Sequence, residues 1–241
     1  MEKIEFKNYG LRASVKGLSP TEIGGRYSSQ ASAEKRIIMD ITKKLDIQPE
    51  DRFLDIGCGP GLTLIPVSYM CSSSSGIDHP EVIKYLRKRI GQCEINLIGG
   101  NFLEISLNEF FDKILIYGVL QTLSDQDEVL DFISRALDLL MPGGRLLLGD
   151  ISNISKKKRF QLSGFGKRFE KNWDSNNGFE KNEKKAQFPG DQKIVTFDDN
   201  LVLDMIMFIR KKGLDAYILP QPSNLPFGFT REDILVIKPS E

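Results

Sequence analysis

Residues 54–61, LDIGCGPG, have the residue types of a loop that holds a cofactor. An apolar strand, RFLDIG, runs directly into the glycines, and the segment that follows them can form a helix. Glycine allows a sharp turn and lets a ligand approach the backbone closely. A helix just beyond the loop would add free N–H groups and the positive end of its dipole. The segment therefore predicts a binding loop between a strand and a helix.

The spacing of the glycines separates two kinds of cofactor. A dinucleotide-binding loop, G-x-G-x-x-G, would place its third glycine at position 62, which is Leu62. The pattern D-x-G-x-G-x-G fits without a gap at Asp55, Gly57, Gly59 and Gly61. A carboxylate at position 55 could accept a hydrogen bond from a ligand ammonium group and would repel a pyrophosphate. The charge therefore favours a zwitterionic cofactor over a diphosphate.

These residues and others downstream resemble the class I S-adenosylmethionine-dependent methyltransferases. The resemblance covers residues 50–151 by motif and 197–241 by pattern. LDIGCGPG is similar to the glycine motif of the family, GIDHP to the segment whose acid binds the ribose hydroxyls, and GGNFLE to the segment near the adenine. FDKILIYGVLQTL resembles the fourth strand, whose end lies beside the sulfonium. The resemblance implies S-adenosyl-L-methionine as the cofactor.

The resemblance also implies the residues of a cofactor site. Asn101 stands where the family often has Asp, and its amide oxygen can accept a hydrogen bond from an adenine amino group. Phe102 could supply a backbone N–H beside it, and His79, which follows the ribose-binding acid, is expected to flank the cofactor. The full set is Asp55, Gly57, Cys58, Gly59, Gly61, Asp78, His79, Asn101, Phe102, Tyr117 and Gly118.

A second group of residues is expected on the acceptor side. Arg26 lies in an N-terminal segment expected to act as a lid, and it could pair with the cofactor carboxylate or with an acidic acceptor. Asp150 ends the predicted fifth strand, near where an acceptor could lie. Asp150 and His79, the only histidine, are the candidates for a general base. The acceptor-side set is Arg26, Tyr27, Gln121, Asp150, Arg159 and Trp173.

The order of elements predicts the fold. From residue 52 to 151, short apolar strands alternate with amphipathic helices, which indicates a parallel sheet covered on both faces. A further helix and two strands follow from residue 198. The prediction is an α/β, doubly wound, Rossmann-like sheet of seven mostly parallel strands that ends in an antiparallel hairpin. Residues 1–28 are expected to be rich in loops, with one short turn of helix.

The chain is expected to form one domain over residues 1–241. Four segments divide it by expected role: an N-terminal lid and helix (1–48), the cofactor-binding core (49–151), an insertion on the acceptor side (152–196), and a C-terminal helix and hairpin (197–241).

Composition excludes several classes of protein. The three cysteines lie far apart without a CxxC pair, and the chain has one histidine, so it offers few ligands for a metal. We therefore expect no metal site and no disulfide. The N-terminus lacks the apolar region of a secretory signal, and no stretch approaches the ~18 apolar residues of a membrane span. These features favour a cytoplasmic protein, and they leave the oligomeric state open.

The net charge of zero conceals a separation of charge. The chain has 33 Lys and Arg and 33 Asp and Glu, but residues 155–193 hold eleven basic and five acidic residues. The insertion therefore carries +6 and the remainder −6. Basic charge with interleaved aromatic residues can bind a phosphorylated or nucleotide-linked acceptor, an acidic membrane surface or RNA.

The predicted function is methyl transfer to a small polar acceptor, which could be anionic. The basic insertion favours a hydroxyl on a sugar or on a phosphate- or nucleotide-bearing metabolite. An RNA methyltransferase is one alternative, although the chain reads YGVL at 117–120 where amino-methyltransferases carry N/D-P-P-Y/F. A non-catalytic cofactor-binding partner subunit is another alternative.

Overall fold

A seven-stranded sheet forms the centre of the protein, which we describe from a computed structural model covering residues 4–173, 175 and 194–240. The strand order is β3-β2-β1-β4-β5-β7-β6, and β7 alone runs antiparallel to its neighbours β5 and β6. This arrangement confirms the predicted fold class. The strands are β1 (Arg52–Ile56), β2 (Ser73–Asp78), β3 (Asn96–Gly99), β4 (Phe111–Tyr117), β5 (Leu140–Ser152), β6 (Asp215–Pro220) and β7 (Arg231–Ile237).

Helices cover both faces of the sheet. They are α1 (Ile4–Ser14), α2 (Pro20–Ile23), α3 (Glu34–Leu45), α4 (Leu64–Ser68), α5 (Pro80–Arg87), α6 (Gln126–Asp138), α7 (Ile154–Leu162), α8 (residues 164–173) and α9 (Asp199–Lys211). Two short 3₁₀ helices, Ser28–Ala33 and Leu120–Thr122, complete the described elements.

The expectation of a loop-rich N-terminus is wrong, because α1 spans eleven residues and α2 follows it. Packing on α5 stabilises α1: the ring of Phe6 lies 4.8 Å from that of His79, and a Cβ at Gly10 would lie 2.3 Å from the His79 ring. The insertion also contains two helices, α7 and α8, where only isolated aromatic residues stood out in the sequence. The rest of the insertion, 174 and 176–193, lies outside the described residues.

Both faces of the central strands are buried, which explains their nearly continuous apolar sequence. Ile114 and Ile116 of β4 pack toward α6 and α9, whereas Leu115 packs toward α3, α4 and α5, and all three are fully buried. The strand pattern that predicted a covered parallel sheet therefore reflects burial on alternate faces.

The strand order changes direction between β1 and β4. From β1 the chain proceeds to β2 and β3 on one side of the sheet, and then crosses to β4 and β5 on the other. A crevice opens at the carboxyl ends of the strands where the order reverses, and ligands of such sheets bind there. The glycine loop after β1 and Gly118 after β4 lie on either side of this crevice.

The helix after the glycine loop is shorter than the sequence indicated. α4 has five residues and begins at Leu64, and Pro66 lies in its first turn, where no N–H is needed. A helix of this length contributes little dipole, so the loop backbone itself and the neighbouring carboxylates must define the binding site.

Gly57 and Gly59 provide a matched test of this loop. Both have positive φ, +78° and +54°, but a Cβ at Gly57 would lie 2.2 Å from Val119 Cγ2, whereas nothing lies within 4 Å of a Cβ at Gly59. We expect Gly57→Ala to lower the free energy of unfolding by about 2–4 kcal/mol, from backbone strain plus overpacking. Gly59→Ala should lower it by about 1 kcal/mol, from strain alone. Urea denaturation of both variants checks this; equal losses would contradict the packing.

Candidate active site

A cavity of about 410 Å³ lies at the carboxyl ends of β1, β2, β4 and β5. Its volume is in the range of small-molecule sites. Twelve of the residues singled out in the sequence line it: Arg26, Asp55, Gly57, Cys58, Gly59, Asp78, Asn101, Phe102, Tyr117, Gly118, Gln121 and Asp150. Gly61, Tyr27, His79, Arg159 and Trp173 are not part of the lining.

Asp55 places a buried carboxyl at one wall of the cavity. It pairs in register with Gly76 of β2 and Leu115 of β4, so it lies in the middle of the sheet. Burial, with a smaller contribution from the charge of Asp78, raises the pKa of Asp55 to about 8. A cationic ligand group beside it would stabilise the ionised form. This wall of the cavity therefore favours a ligand with positive charge.

Asp78, at the end of β2, holds the glycine loop in place. Its Oδ2 accepts a hydrogen bond from the Gly59 N–H at 2.7 Å, and its Oδ1 accepts one from the His79 N–H at 2.6 Å. Burial raises the pKa of Asp78, and these two backbone hydrogen bonds oppose that shift. Each oxygen keeps a lone pair that can accept from a ribose hydroxyl.

The segment after β3 forms another wall. Phe102 is almost fully buried against Phe132, with ring centroids 4.8 Å apart, and the Arg135 guanidinium lies over the Phe102 ring. The Asn101 Oδ1 accepts from the Leu103 N–H at 3.1 Å, so the amide is oriented by its own turn. An apolar wall beside an oriented amide suits a planar heterocycle such as adenine.

The opposite end of the cavity combines one carboxylate with two guanidinium groups. Arg26 Nη2 lies 3.5 Å from Asp150 Oδ2, and Arg231 Nε lies 3.8 Å from Asp150 Oδ1. Burial raises the pKa of Asp150, while Arg231 and Arg26 oppose the shift. Among the described residues, Asp150 Oδ1, Arg231 Nη1 and Gln121 Oε1 are buried without a hydrogen-bond partner. Such groups are satisfied when a polar ligand enters.

Backbone geometry aims Asp150 into the cavity. Its φ is +61°, and it lies where the pairing of β5 with β7 shifts register between Leu148 and Ile151. Its N–H donates to Asp233 Oδ1 at 2.9 Å, and Asp233 is itself paired with Lys44 at 2.7 Å. A left-handed non-glycine residue held by a buried partner is a feature that recurs at functional sites.

Tyr117 links the two ends of the cavity. A Cβ at Gly149 would lie 2.3 Å from the Tyr117 ring, so the glycine allows the ring to lie across β5. The hydroxyl accepts from Gln221 Nε2 at 3.1 Å, and Arg26 lies over the ring, 5.5 Å from its centroid. Burial raises the pKa of the Tyr117 phenol well above its usual value, so it remains protonated at neutral pH.

The structure corrects the expected positions of two candidates. His79 caps α5, with Nδ1 accepting from the Glu81 N–H at 3.1 Å, and its ring faces α1 rather than the cavity. Arg159 is exposed and pairs with Asp199 at 2.5 Å, outside the lining. Packing against α1 and α9, which no local pattern reveals, determines both orientations.

The remaining three residues support the cavity from outside its lining. Gly61 approaches α5, where a Cβ would lie 2.4 Å from Leu86 Cδ1. The Trp173 ring lies 5.7 Å from that of Tyr27 and 6.0 Å from that of Phe227, and Phe227 lines the cavity. These rings connect the N-terminal segment, α8 and the loop before β7.

Several lining residues were missed in the sequence: Arg12, Glu34, Glu128, Phe227 and Arg231. Residues 221–230 have the composition of a turn rich in proline, and only the two phenylalanines on either side of Gly228 indicate that the segment could line a site. Arg231 reaches Asp150 because β7 pairs with β5, and this pairing leaves no mark in the local sequence.

Comparisons with known proteins agree with this geometry. The family model described as "Methyltransferase domain" matches residues 54–148. A probable cobalt-precorrin-6B C(15)-methyltransferase (decarboxylating) of Saccharolobus solfataricus is 31% identical over 118 residues, 45% of this chain and 56% of that protein. The chain spans about half or less of the length of the curated relatives it matches. Residues 54–148 therefore form a methyltransferase domain, and the fold is that of S-adenosylmethionine-dependent methyltransferases.

Solved methyltransferase structures share the fold over the whole chain. N-methyltransferase NodS from Bradyrhizobium japonicum WM9, in complex with S-adenosyl-L-homocysteine, is 14% identical with a TM-score of 0.64, covering 99% of this chain and 100% of that one. Phosphoethanolamine N-methyltransferase 1 of Haemonchus contortus is 15% identical with a TM-score of 0.69, covering 99% and 49%. The match to a methyltransferase domain and the neighbours crystallised with S-adenosyl-L-homocysteine or S-adenosylmethionine confirm S-adenosylmethionine as the expected cofactor.

The residues of this cavity fit that cofactor. The glycine loop borders open space at Gly59, where nothing lies within 4 Å of a Cβ position. The buried Asp55 would compensate a ligand ammonium group, and Asp78 has free lone pairs for a ribose. Phe102 and Asn101 would contact the adenine.

The described residues contain no membrane-spanning helix and no cluster of metal ligands. None of their helices combines the length and apolarity that a membrane span requires. Within residues 4–173, 175 and 194–240, no three His, Cys, Asp or Glu side chains come together as a metal site would need.

The raised pKa of Asp55 predicts a pH dependence of cofactor binding. Below pH 8 the free protein holds this carboxyl largely protonated, and a cationic ligand favours its ionised form, so binding releases a proton. Affinity should rise by up to about tenfold per pH unit between about pH 6 and 7.5. Asp55→Asn should bind more weakly and without this slope. Calorimetry in buffers of different ionisation enthalpy measures the released proton; an unchanged slope in the variant would contradict the assignment.

Proposed function

We propose that the chain transfers a methyl group from S-adenosylmethionine to a hydroxyl of a small polar molecule bound beside Asp150. The observation that carries the proposal is the buried Asp150 Oδ1, which has no hydrogen-bond partner among the described residues. The Asp150 carboxylate lies between Arg26 and Arg231 in the same cavity as the glycine loop. The relatives named above are, by name, methyltransferases of nitrogen or carbon, so the acceptor atom is inferred from the cavity and not from them.

The charges beside Asp150 favour a hydroxyl over an amine. Arg26 and Arg231 both lie within 4 Å of the Asp150 carboxylate, and the next carboxylate behind it, Asp233, is already paired with Lys44. A protonated amine would meet repulsion from Arg26 and Arg231. A hydroxyl losing its proton becomes negative, and the same two cations stabilise that charge. The arrangement therefore matches a hydroxyl acceptor better than an ammonium one.

Each group has a defined role in this proposal. When bound, the cofactor supplies an electrophilic methyl carbon. Asp150 Oδ1 accepts the proton of the hydroxyl, and its raised pKa makes it a stronger base than an ordinary Asp. Arg231 Nη1, buried and without a hydrogen-bond partner in the described part of the chain, donates to the hydroxyl oxygen, and Gln121 Oε1 accepts from a second donor on the acceptor. The walls orient both reactants and exclude water.

We further propose a sugar or a phosphate- or nucleotide-bearing metabolite as the acceptor class. Arg26 and Arg231 in the lining support an anionic group. The described cations of the insertion give less support, because Lys156 pairs with Glu232 and Arg159 with Asp199, and neither lines the cavity. In the proposed organisation, the lid (1–48), core (49–151), insertion (152–196) and C-terminal segment (197–241) each contribute lining residues.

The proposal is tested by following the methyl group. The protein is incubated with methyl-labelled S-adenosylmethionine and a fractionated small-molecule extract of the organism that encodes it, and labelled products are analysed by mass spectrometry. We expect a methyl ether that resists the conditions releasing a methyl ester. Labelled N-methyl or C-methyl products would refute the hydroxyl assignment, and cofactor binding without transfer to any pool would favour the non-catalytic alternative.

Asp150→Asn tests the proposed base. Asn retains the shape of Asp and tolerates a positive φ, so the fold and cofactor binding should persist. We expect kcat to fall by about 10²–10⁴-fold, the usual range for loss of a general base. In the wild-type protein, kcat/KM should rise with pH through a pKa above that of an ordinary Asp. Arg159→Gln, outside the cavity, serves as the control and should retain activity; an active Asp150→Asn variant would remove Asp150 from this role.

A further inference from the structure

The turn between α7 and α8 exposes two large apolar side chains. Leu162 is 75% exposed and Phe165 is 51% exposed, with Ser163 and Gly164 between them also at the surface. None of the residues of α7 is buried. The turn projects from the acceptor end of the protein, because α7 follows directly from β5 and packs on α9.

The turn is tightly built. Ser163 Oγ accepts from the Gly166 N–H at 2.9 Å and caps α8, and the Ser163 N–H donates to the Phe160 carbonyl at 3.0 Å. A Cβ at Gly166 would lie 2.0 Å from the same carbonyl oxygen, so only glycine permits this approach. The exposed positions of Leu162 and Phe165 are therefore fixed by a defined backbone.

Cations flank the two apolar residues. Residues 154–173 carry seven Lys and Arg against one acid, so they account for the whole +6 excess of the insertion, while residues 174–193 carry four of each sign. Two of the seven, Lys156 and Arg159, form ion pairs. The other five are exposed and form no ion pair with any described residue: Lys157, Lys158, Lys167, Arg168 and Lys171.

We propose that residues 157–171, the basic tip, bind the protein peripherally to an anionic lipid surface. Leu162 and Phe165 would enter the boundary between headgroups and acyl chains, and the five cations without an ion pair to a described residue would contact the headgroups. An apolar tip surrounded by cations is the arrangement that interfacial binding requires. The apolar side chains alone or the cations alone would bind a membrane weakly, and the two together give stable but reversible binding.

RNA is a poorer fit to the same surface. Binding to single-stranded RNA would use aromatic faces for stacking. Phe165 already packs against Phe160, Phe169 and Phe229, with centroids 6.0, 6.2 and 5.2 Å away. Leu162, the more exposed of the two, offers no ring to a base. Exposed Leu at the tip has a clear role at a lipid surface and none on RNA.

Docking in this way would present the acceptor end of the cavity to the membrane. The basic tip continues through Phe169 and Trp173 to Phe227, which lines the cavity, with centroids 6.2 Å and 6.0 Å apart along this path. Trp173 is the only tryptophan of the chain, so its fluorescence reports on this region alone. The inference does not rest on the proposed reaction, because it concerns binding and not turnover.

Vesicle sedimentation of the full chain tests the proposal. We expect binding to vesicles of phosphatidylglycerol and phosphatidylcholine, little binding to phosphatidylcholine alone, and weakening with salt. Trp173 emission should change only with the anionic vesicles. Equal binding to both kinds of vesicle, or none to either, would overturn the proposal.

Variants separate the apolar and charged contributions. Leu162→Ser should lower the partition coefficient by about tenfold because one apolar side chain no longer enters the lipid. The triple variant Lys167→Gln, Arg168→Gln, Lys171→Gln should lower it by about a hundredfold, at roughly fivefold per cation. Met39→Ser on α3, where Met39 is 70% exposed, is the matched control and should bind as the wild type does.

An RNA-binding assay on the same variants completes the test. If the triple variant loses RNA binding and Leu162→Ser leaves vesicle binding unchanged, the basic tip is an RNA surface and the lipid proposal is wrong. Circular dichroism confirms that each variant is folded, and Leu162, with its side chain largely in solvent, provides a readout that does not depend on the packed Phe165.

Discussion

The parallel pairing of β1 between β2 and β4 is the constraint on which the binding site depends. It holds Asp55 in register with Gly76 and Leu115 at the centre of the sheet, where the carboxyl is almost fully removed from bulk water. It also sends the chain to opposite sides of the sheet from adjacent strands, which opens the crevice. The buried carboxyl and the crevice thus arise from one arrangement, and a cationic ligand in the crevice compensates for the burial of the carboxyl.

The acceptor end depends on a different pairing, that of β7 with β5. This antiparallel strand brings Asp233 to the Asp150 N–H and Arg231 to its carboxylate. The irregular register beside Asp150 allows its positive φ, and the buried partners maintain it. Two sets of strands therefore define two halves of one cavity: the parallel strands define the end that fits the cofactor, and the antiparallel strand defines the polarity of the opposite end.

Aromatic packing joins the outer segments to these halves. Tyr27, Trp173 and Phe227 belong to the N-terminal segment, α8 and the loop before β7, and their rings are in mutual contact. The same packing continues outward to the basic tip. The cavity is thus enclosed by segments that are distant along the chain, and the surface that we propose for lipid binding lies on the enclosing layer and not on the sheet.

The sequence by itself determined the sheet, the glycine loop and the cofactor class, because short-range sequence patterns indicate each of them. Apolar strands carry their own periodicity, and the spacing of Asp55 and three glycines is local. Only the tertiary structure decided that α1 forms, since its stability comes from packing against α5, and that this packing turns His79 away from the cavity. Only the tertiary structure brings Arg231 to Asp150, 81 residues apart in the chain. The contact depends on the pairing of β7 with β5, and the local sequence of neither strand indicates that pairing.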